Sequence, residues 1–148
     1  MSLQTDIIFV RALRGNTELL AKLPAGDVYN TAIALPEEDA ENAPLPYIIV
    51  SFDGLTNDQT TKDTFESDYD TVNIGVEVAA ATRDQLFDLT QSVRDTVLSF
   101  FESLQSDPTD DDFALVPLDY QLSATGVRYD DQKPCYWQIL NYQCDTNA

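Results

Sequence analysis

The spacing of hydrophobic positions changes period several times along the chain, and each change marks an element. Near the start, Leu3, Ile7, Val10, Arg11 and Arg14 recur at helical spacing, with Ile8 and Phe9 widening the apolar face. This predicts a helix over about Leu3 to Leu13. Gly15-Asn16 stops it, and Asn16 is placed to cap a second short helix, Thr17 to Leu23, which Pro24 and Gly26 end. Val28 to Leu35 alternates as a short strand. Pro36 to Pro44 is an acidic loop fenced by prolines. Pro46 to Gly54 is rich in β-branched and aromatic residues and closes on Asp53-Gly54, which predicts a strand. Leu55 to Tyr69 is a polar connection too long for a tight hairpin turn. Beyond it, Val72, Ile74, Val76 and Val78 alternate with Asn73, Gly75 and Glu77, a strand with one buried face and one wet face. These two strands are expected to pair as a hairpin.

Thr82-Arg83-Asp84-Gln85 has the form of a capping box. Behind it, Leu86, Leu89, Val93, Val97, Phe100, Phe101 and Leu104 recur at spacings of three and four. They predict a helix from Arg83 to Gln105 that packs its Leu86, Leu89, Val93, Val97, Phe100 and Leu104 face on the sheet. Pro108 confirms the stop, and Asp107 to Asp112 is an acidic loop. Leu118, Tyr120, Leu122 and Ala124 then alternate with polar residues, Tyr129 to Pro134 is a turn, and Cys135 to Cys144 is a closing strand apolar on both faces. The predicted order is α-β-β-β-α-β-β. With no internal repeat or linker, residues 1–148 make one α+β domain, a mostly antiparallel sheet with helices packed on one face.

Composition narrows the chemistry. At 148 residues the chain can bury a core without a metal or disulfide staple. Eight Lys and Arg against 26 Asp and Glu give a net charge of −18, which repels DNA, RNA and anionic lipid. The chain contains no His, which removes His-based triads, metal sites and proton shuttles together. No Gly-rich phosphate loop is present. No apolar run approaches the roughly 20 residues that span a bilayer, and the start lacks a cationic leader, so synthesis in the cytoplasm is expected. Cys135 and Cys144 lie nine residues apart on one predicted strand, pointing to opposite faces. They are expected to stay unbridged. The clusters Glu37, Glu38, Asp39, Glu41 and Asp107, Asp110, Asp111, Asp112 lack the ligand alternation of a Ca²⁺ loop and fit solvated loops. No carboxylate pair is marked as sheltered, so no catalytic, cofactor or metal residues are assigned. Tyr129, Tyr136, Trp137 and Tyr142 fit either core or cross-strand pairs or an inter-subunit surface. The long polar connection Leu55 to Tyr69 fits either a solvated flexible loop or an arm that docks on a neighbouring subunit, with Phe65 and Tyr69 as the apolar anchors of the arm.

A helical start, Leu45-Pro46-Tyr47-Ile48-Ile49-Val50, the alternating strand Val72 to Ala80, a long helix with Val93-Arg94 at its middle and an aromatic closing strand follow one another in this chain. Over roughly residues 3–144 this pattern resembles the tail-terminator or tail-completion proteins of tailed bacteriophages and phage-like tails. The resemblance implies a structural virion protein of the tail or neck, made in the host cytoplasm. It implies a ring, usually hexameric, on the head-proximal end of the tail tube, with the tail tube protein and a head-side connector protein as partners. DNA would pass through the lumen without sequence-specific binding. Two other readings share the charge and size. One is another neck or head-tail joining protein. The other is an acidic DNA mimic, although many of the acids sit in predicted loops rather than along ordered elements.

Overall fold

The computed structural model describes residues 2–30, 44–57, 69–107, 109 and 119–147. A 3-10 turn, Ser2–Gln4, leads into α1, Thr5–Arg14. Asn16 caps α2, Thr17–Ala21, by accepting the Leu19 N–H on its side-chain oxygen at 3.2 Å. Then come β1 (Tyr29–Asn30), β2 (Tyr47–Asn57) and β3 (Tyr69–Ala80). Thr82 Oγ1 accepts the Gln85 N–H at 3.2 Å and starts α3, Arg83–Ser106. The chain closes with β4 (Asp119–Ala124), β5 (Arg128–Asp130) and β6 (Cys135–Asn147). Among the described residues the sheet order is β1-β2-β3-β6-β4, with β5 also paired to β6. β1 runs parallel to β2, and every other pairing is antiparallel. Among the described residues the fold is α+β on a mixed sheet of six strands.

The core lies between the helices and one face of this sheet. Val72, Ile74, Val76 and Val78 of β3 are fully buried, as their alternation predicts. Ile48 and Val50 of β2 and Leu140 and Tyr142 of β6 flank them in the same cluster, and α1 and α3 cover it. The α3 stripe differs from prediction at one turn. Phe101, not Phe100, is the fully buried ring. It meets Phe9 edge-on at 5.2 Å and Tyr120 at 5.8 Å, while Phe100 sits half-buried at the groove facing α1 and α2.

The stripe on α1 is also displaced. Ile8, Phe9, Val10, Ala12 and Leu13 are buried, whereas Leu3, Arg11 and Arg14 are exposed. α1 packs on α3 and on β2 and β3 at once, so burial wraps most of its circumference instead of one face.

Strand ends differ from the sequence reading too. β2 continues through Leu55, Thr56 and Asn57, which pair with Val72, Thr71 and Asp70. A bulge at Asp53, with Gly54 at φ 155°, lets the pairing resume beyond the expected stop. Backbone pairing does not require apolar side chains, which is why polarity alone misplaced this boundary; Asn57 Nδ2 also donates to Asp70 at 2.7 Å. The remaining connection, 58–68, lies outside the described residues. So do 31–43, where the rest of the Val28 to Leu35 strand was expected, and most of the Asp107 to Asp112 loop. The expected turn at Tyr129 begins later, because Arg128–Asp130 forms β5. β4 and β5 follow one another along the same edge of β6. Between them Thr125 exchanges two 3.0 Å hydrogen bonds with Ile139, N–H to carbonyl and N–H to Oγ1. Cys135 and Cys144 both lie on β6 and are buried, with opposite strand parity.

Candidate subunit-contact surface

The turn of the β5–β6 hairpin is closed by its own sequence. Asp130 Oδ1 accepts the N–H groups of Gln132 at 3.0 Å and Lys133 at 3.4 Å, a local side-chain turn of the kind Asp favours. The register that follows pairs Arg128 with Trp137 and Tyr129 with Tyr136. Their side chains therefore meet. The Tyr129 and Tyr136 rings lie 5.1 Å apart at 57°, and the Arg128 guanidinium sits 5.5 Å from the Trp137 ring centre. One row across, Ala79 separates Trp137 from Tyr47, whose ring carries the Lys133 ammonium at 5.0 Å. Cation–π contacts of this kind contribute about 0.5–1 kcal/mol each at exposed sites. Arg83, at the start of α3, joins Val127, Arg128, Tyr129 and Tyr136 around a hollow of about 280 Å³. Tyr129 remains 52% exposed and Phe87, beneath Arg83, 46% exposed, so this end keeps apolar surface in reach of a partner.

The sheet face opposite the helices continues from this hairpin. The Tyr47 hydroxyl donates to the Glu77 carboxylate. Burial pushes the Glu77 carboxyl up from its ordinary value, opposed by the Tyr47 hydrogen bond and the Lys133 charge. Burial, together with the Glu77 charge, pushes the Tyr47 hydroxyl up. Beside them, Ile49, Ser51, Asp53, Gly75, Glu77 and Ile139 contribute to a shallow pocket of about 260 Å³. Its floor depends on Gly75. A Cβ there would stand 2.5 Å from Asp53 Oδ2 and 2.9 Å from Ser51 Oγ. Ser51 Oγ donates to Asp53 Oδ1 at 2.8 Å, which holds that carboxylate over the glycine.

Of the residues singled out from sequence, Tyr129 and Tyr136 meet on the hairpin, while Trp137, the next residue of β6, faces the other side of the sheet against Arg128. Tyr69 does not join them. It opens β3 opposite Asn147, whereas Ala80 at the other end of β3 pairs with Tyr136, about 36 Å away at strand rise. Phe65 lies outside the described residues. Tyr142, also aromatic and on the same strand, is a core residue, 4.9 Å from Phe9 and 5.5 Å from Tyr120. Sequence reasoning missed Tyr47, Glu77, Arg83, Arg128 and Lys133. The signal for one of them was present: Arg128 stands directly opposite Trp137 across the hairpin, whereas Lys133 reaches Tyr47 of β2. Among the described residues no group of three acidic or Cys side chains is arranged to hold a metal ion. No described helix is long and apolar enough to cross a membrane. Comparison of the chain with models of known protein families finds no match, and comparison with curated proteins finds none.

Proposed function

We propose that this chain is a non-catalytic ring subunit at the head-proximal end of a phage-type tail tube, where it ends tube growth and joins the tail to a head-side connector. The observation that carries the reading is an α+β domain in which, among the described residues, the helices pack on one sheet face, with an aromatic hairpin at one end of the sheet. A closed ring built from one protein needs two different patches on each subunit, and this surface supplies at least one of them. Charge is compatible with a conduit. Six copies at −18 would carry about −108, so the wall of a lumen would repel passing DNA rather than hold it.

The test is polymerisation of a phage-type tail tube protein with and without this chain. Tubes of limited length, each ending in a ring visible by electron microscopy, are expected. Unlimited growth with no ring would overturn the reading. The net charge of −18 also favours a second reading, an acidic DNA mimic. A chain that stays at 16.5 kDa by mass and captures a basic DNA-binding protein would support that instead.

A further inference from the structure

One flank of α3 is left in water. The buried stripe of the helix, Leu86, Leu89, Val93, Val97, Phe101 and Leu104, is spent on the sheet and on α1. The flank toward α2 is tied down as well: Lys22 Nζ donates to Asp88 Oδ2 at 2.9 Å, and Asn16 Nδ2 to Thr96 Oγ1 at 2.9 Å. On the other flank Phe87, Gln91, Arg94 and Leu98 recur at spacings of four, three and four, and all are exposed. That is the seam spacing of two helices packed side by side. Phe87 and Leu98, the latter 44% exposed, are two of the five large apolar side chains so exposed among the described residues.

Arg94 stands between them without a partner. Among the described residues it makes no ion pair, hydrogen bond or ring contact, and it reaches the Tyr120 and Tyr142 phenols by charge alone. Gln91 Nε2 donates to Asp95 Oδ1 at 2.9 Å, which leaves the Gln91 side-chain carbonyl as an open acceptor. The seam reads the same from either end: apolar, polar, polar, apolar. Laid antiparallel on a second copy, about a two-fold axis between Ser92 and Val93, it sets Phe87 against the partner's Leu98 at both ends. In the middle it brings Arg94 level with the partner's Gln91. Parallel pairing would instead set Arg94 on the partner's Arg94 and Glu102 on the partner's Glu102, so charge selects the antiparallel sense. The acids nearest the seam, Asp84, Asp95 and Glu102, fall on its outer rim by helical spacing, where salt screens them.

We infer that two copies of this chain associate through α3, antiparallel about a two-fold axis, along Phe87, Gln91, Arg94 and Leu98. The contact is isologous and closes at two copies, so it stands apart from the heterologous contact of the proposed ring and goes beyond that reading. Apolar area holds it and the net charge opposes it. A seam of about three turns lies at the weak end of affinity, roughly micromolar or weaker.

The experiment is sedimentation velocity of the full chain under reducing conditions, over concentrations spanning that range, at about 0.05 M and about 0.5 M salt. A monomer–dimer equilibrium is expected. It should strengthen with salt, because screening relieves the repulsion between two chains of −18. Leu98→Asp and Arg94→Glu, each checked for folding by its melting transition, should each weaken the dimer roughly ten-fold or more. Leu98→Ser serves if Leu98→Asp does not fold. Register is read with Phe87→Cys and Leu98→Cys chains and a bis-maleimide linker of about 8–10 Å, the spacing of packed helices. The mixture should cross-link and neither chain alone should, since the two-fold keeps like positions about 16 Å apart along the axis. Cys135 and Cys144 are buried, and the parent under the same treatment is the control. A parent that stays monomeric throughout, a dimer unchanged in both charge variants, or cross-links in the single samples but not in the mixture would overturn the contact. Rings formed equally by the parent and both charge variants would uphold the ring reading and overturn this contact. A dimer that the variants weaken, in a chain that does not limit tube growth, would uphold the contact and overturn the ring.

Discussion

The two faces of β3 are made by one stretch of chain and held by different physics. On the inner face Val72, Ile74, Val76 and Val78 are fully buried beneath α1 and α3. That face is stabilised by area, at about 25 cal/mol for each Å² of apolar surface removed from water, and it tolerates any partner of suitable shape. On the outer face Asn73 is exposed, Gly75 lies under the Asp53 carboxylate, and Glu77 is half-buried against Tyr47. Its order rests on particular pairs, each of which fails if one member changes. The difference teaches that alternation tells which residues share a face, while what shelters a face is settled by neighbours distant in sequence.

Emptying the inner face should have the largest effect. Phe101→Ala removes a ring packed against Phe9 and Tyr120 and should destabilise the fold by about 3–5 kcal/mol in urea denaturation. Phe100→Ala, one residue away, removes a half-buried ring at the groove and should lose less than about 2 kcal/mol. Equal losses at the two positions would mean that α3 is rotated from the orientation described.

How far the fold was legible follows from the same contrast. The Asn16 and Thr82 caps, the β3 alternation and most of the α3 stripe were readable because they depend on residues within a few positions of one another. Phe100 and Phe101 were not separable by periodicity, since both fall within the apolar stripe, and the choice was made by Phe9 and Tyr120 from other elements. The burial of α1 nearly all round needed knowledge that α3 and the sheet both press on it. The parallel pairing of β1 with β2 is a topological fact with no local signature. At the surface, Tyr129, Tyr136 and Trp137 could be picked out by residue type, but Arg83 comes beside Tyr129 and Tyr136, and Lys133 over Tyr47, only through tertiary register.

A substitution at Gly75 tests the outer face alone. Gly75→Ala places a methyl group against Asp53 Oδ2 and Ser51 Oγ and should cost about 1–2 kcal/mol. In an Asp53→Ala background the closer obstruction is gone, and Ser51 Oγ, released from its bond to Asp53, is free to rotate away from the new methyl group. The same change should then be neutral or stabilising by up to about 1 kcal/mol, because alanine loses less backbone entropy than glycine in a strand. Denaturation of the four proteins of this cycle gives the coupling directly. An additive result would show that Asp53 does not lie over Gly75, and that the pocket floor is open.

The smallest effect is one of sign, at Glu77. Burial raises the carboxyl above its unfolded value of 4.5, so the folded protein holds that proton to higher pH than the unfolded chain does. Between the unfolded and folded values the native state therefore binds more protons, and this group makes stability fall as pH rises. Glu77→Gln keeps the shape and an oxygen for the Tyr47 hydroxyl but cannot ionise. Parent and variant should be about equally stable below the unfolded value. The variant should gain relative to the parent as pH climbs through the window, then hold a constant advantage above it. Measuring the difference between the two proteins cancels the general repulsion among the remaining carboxylates, which both share. Urea denaturation at a series of pH values from about 4 to about 7 reads this difference. A variant that loses ground as pH rises would show that Lys133 and Tyr47 favour the carboxylate more than burial opposes it, making this half of the outer face a charge site rather than a sheltered one.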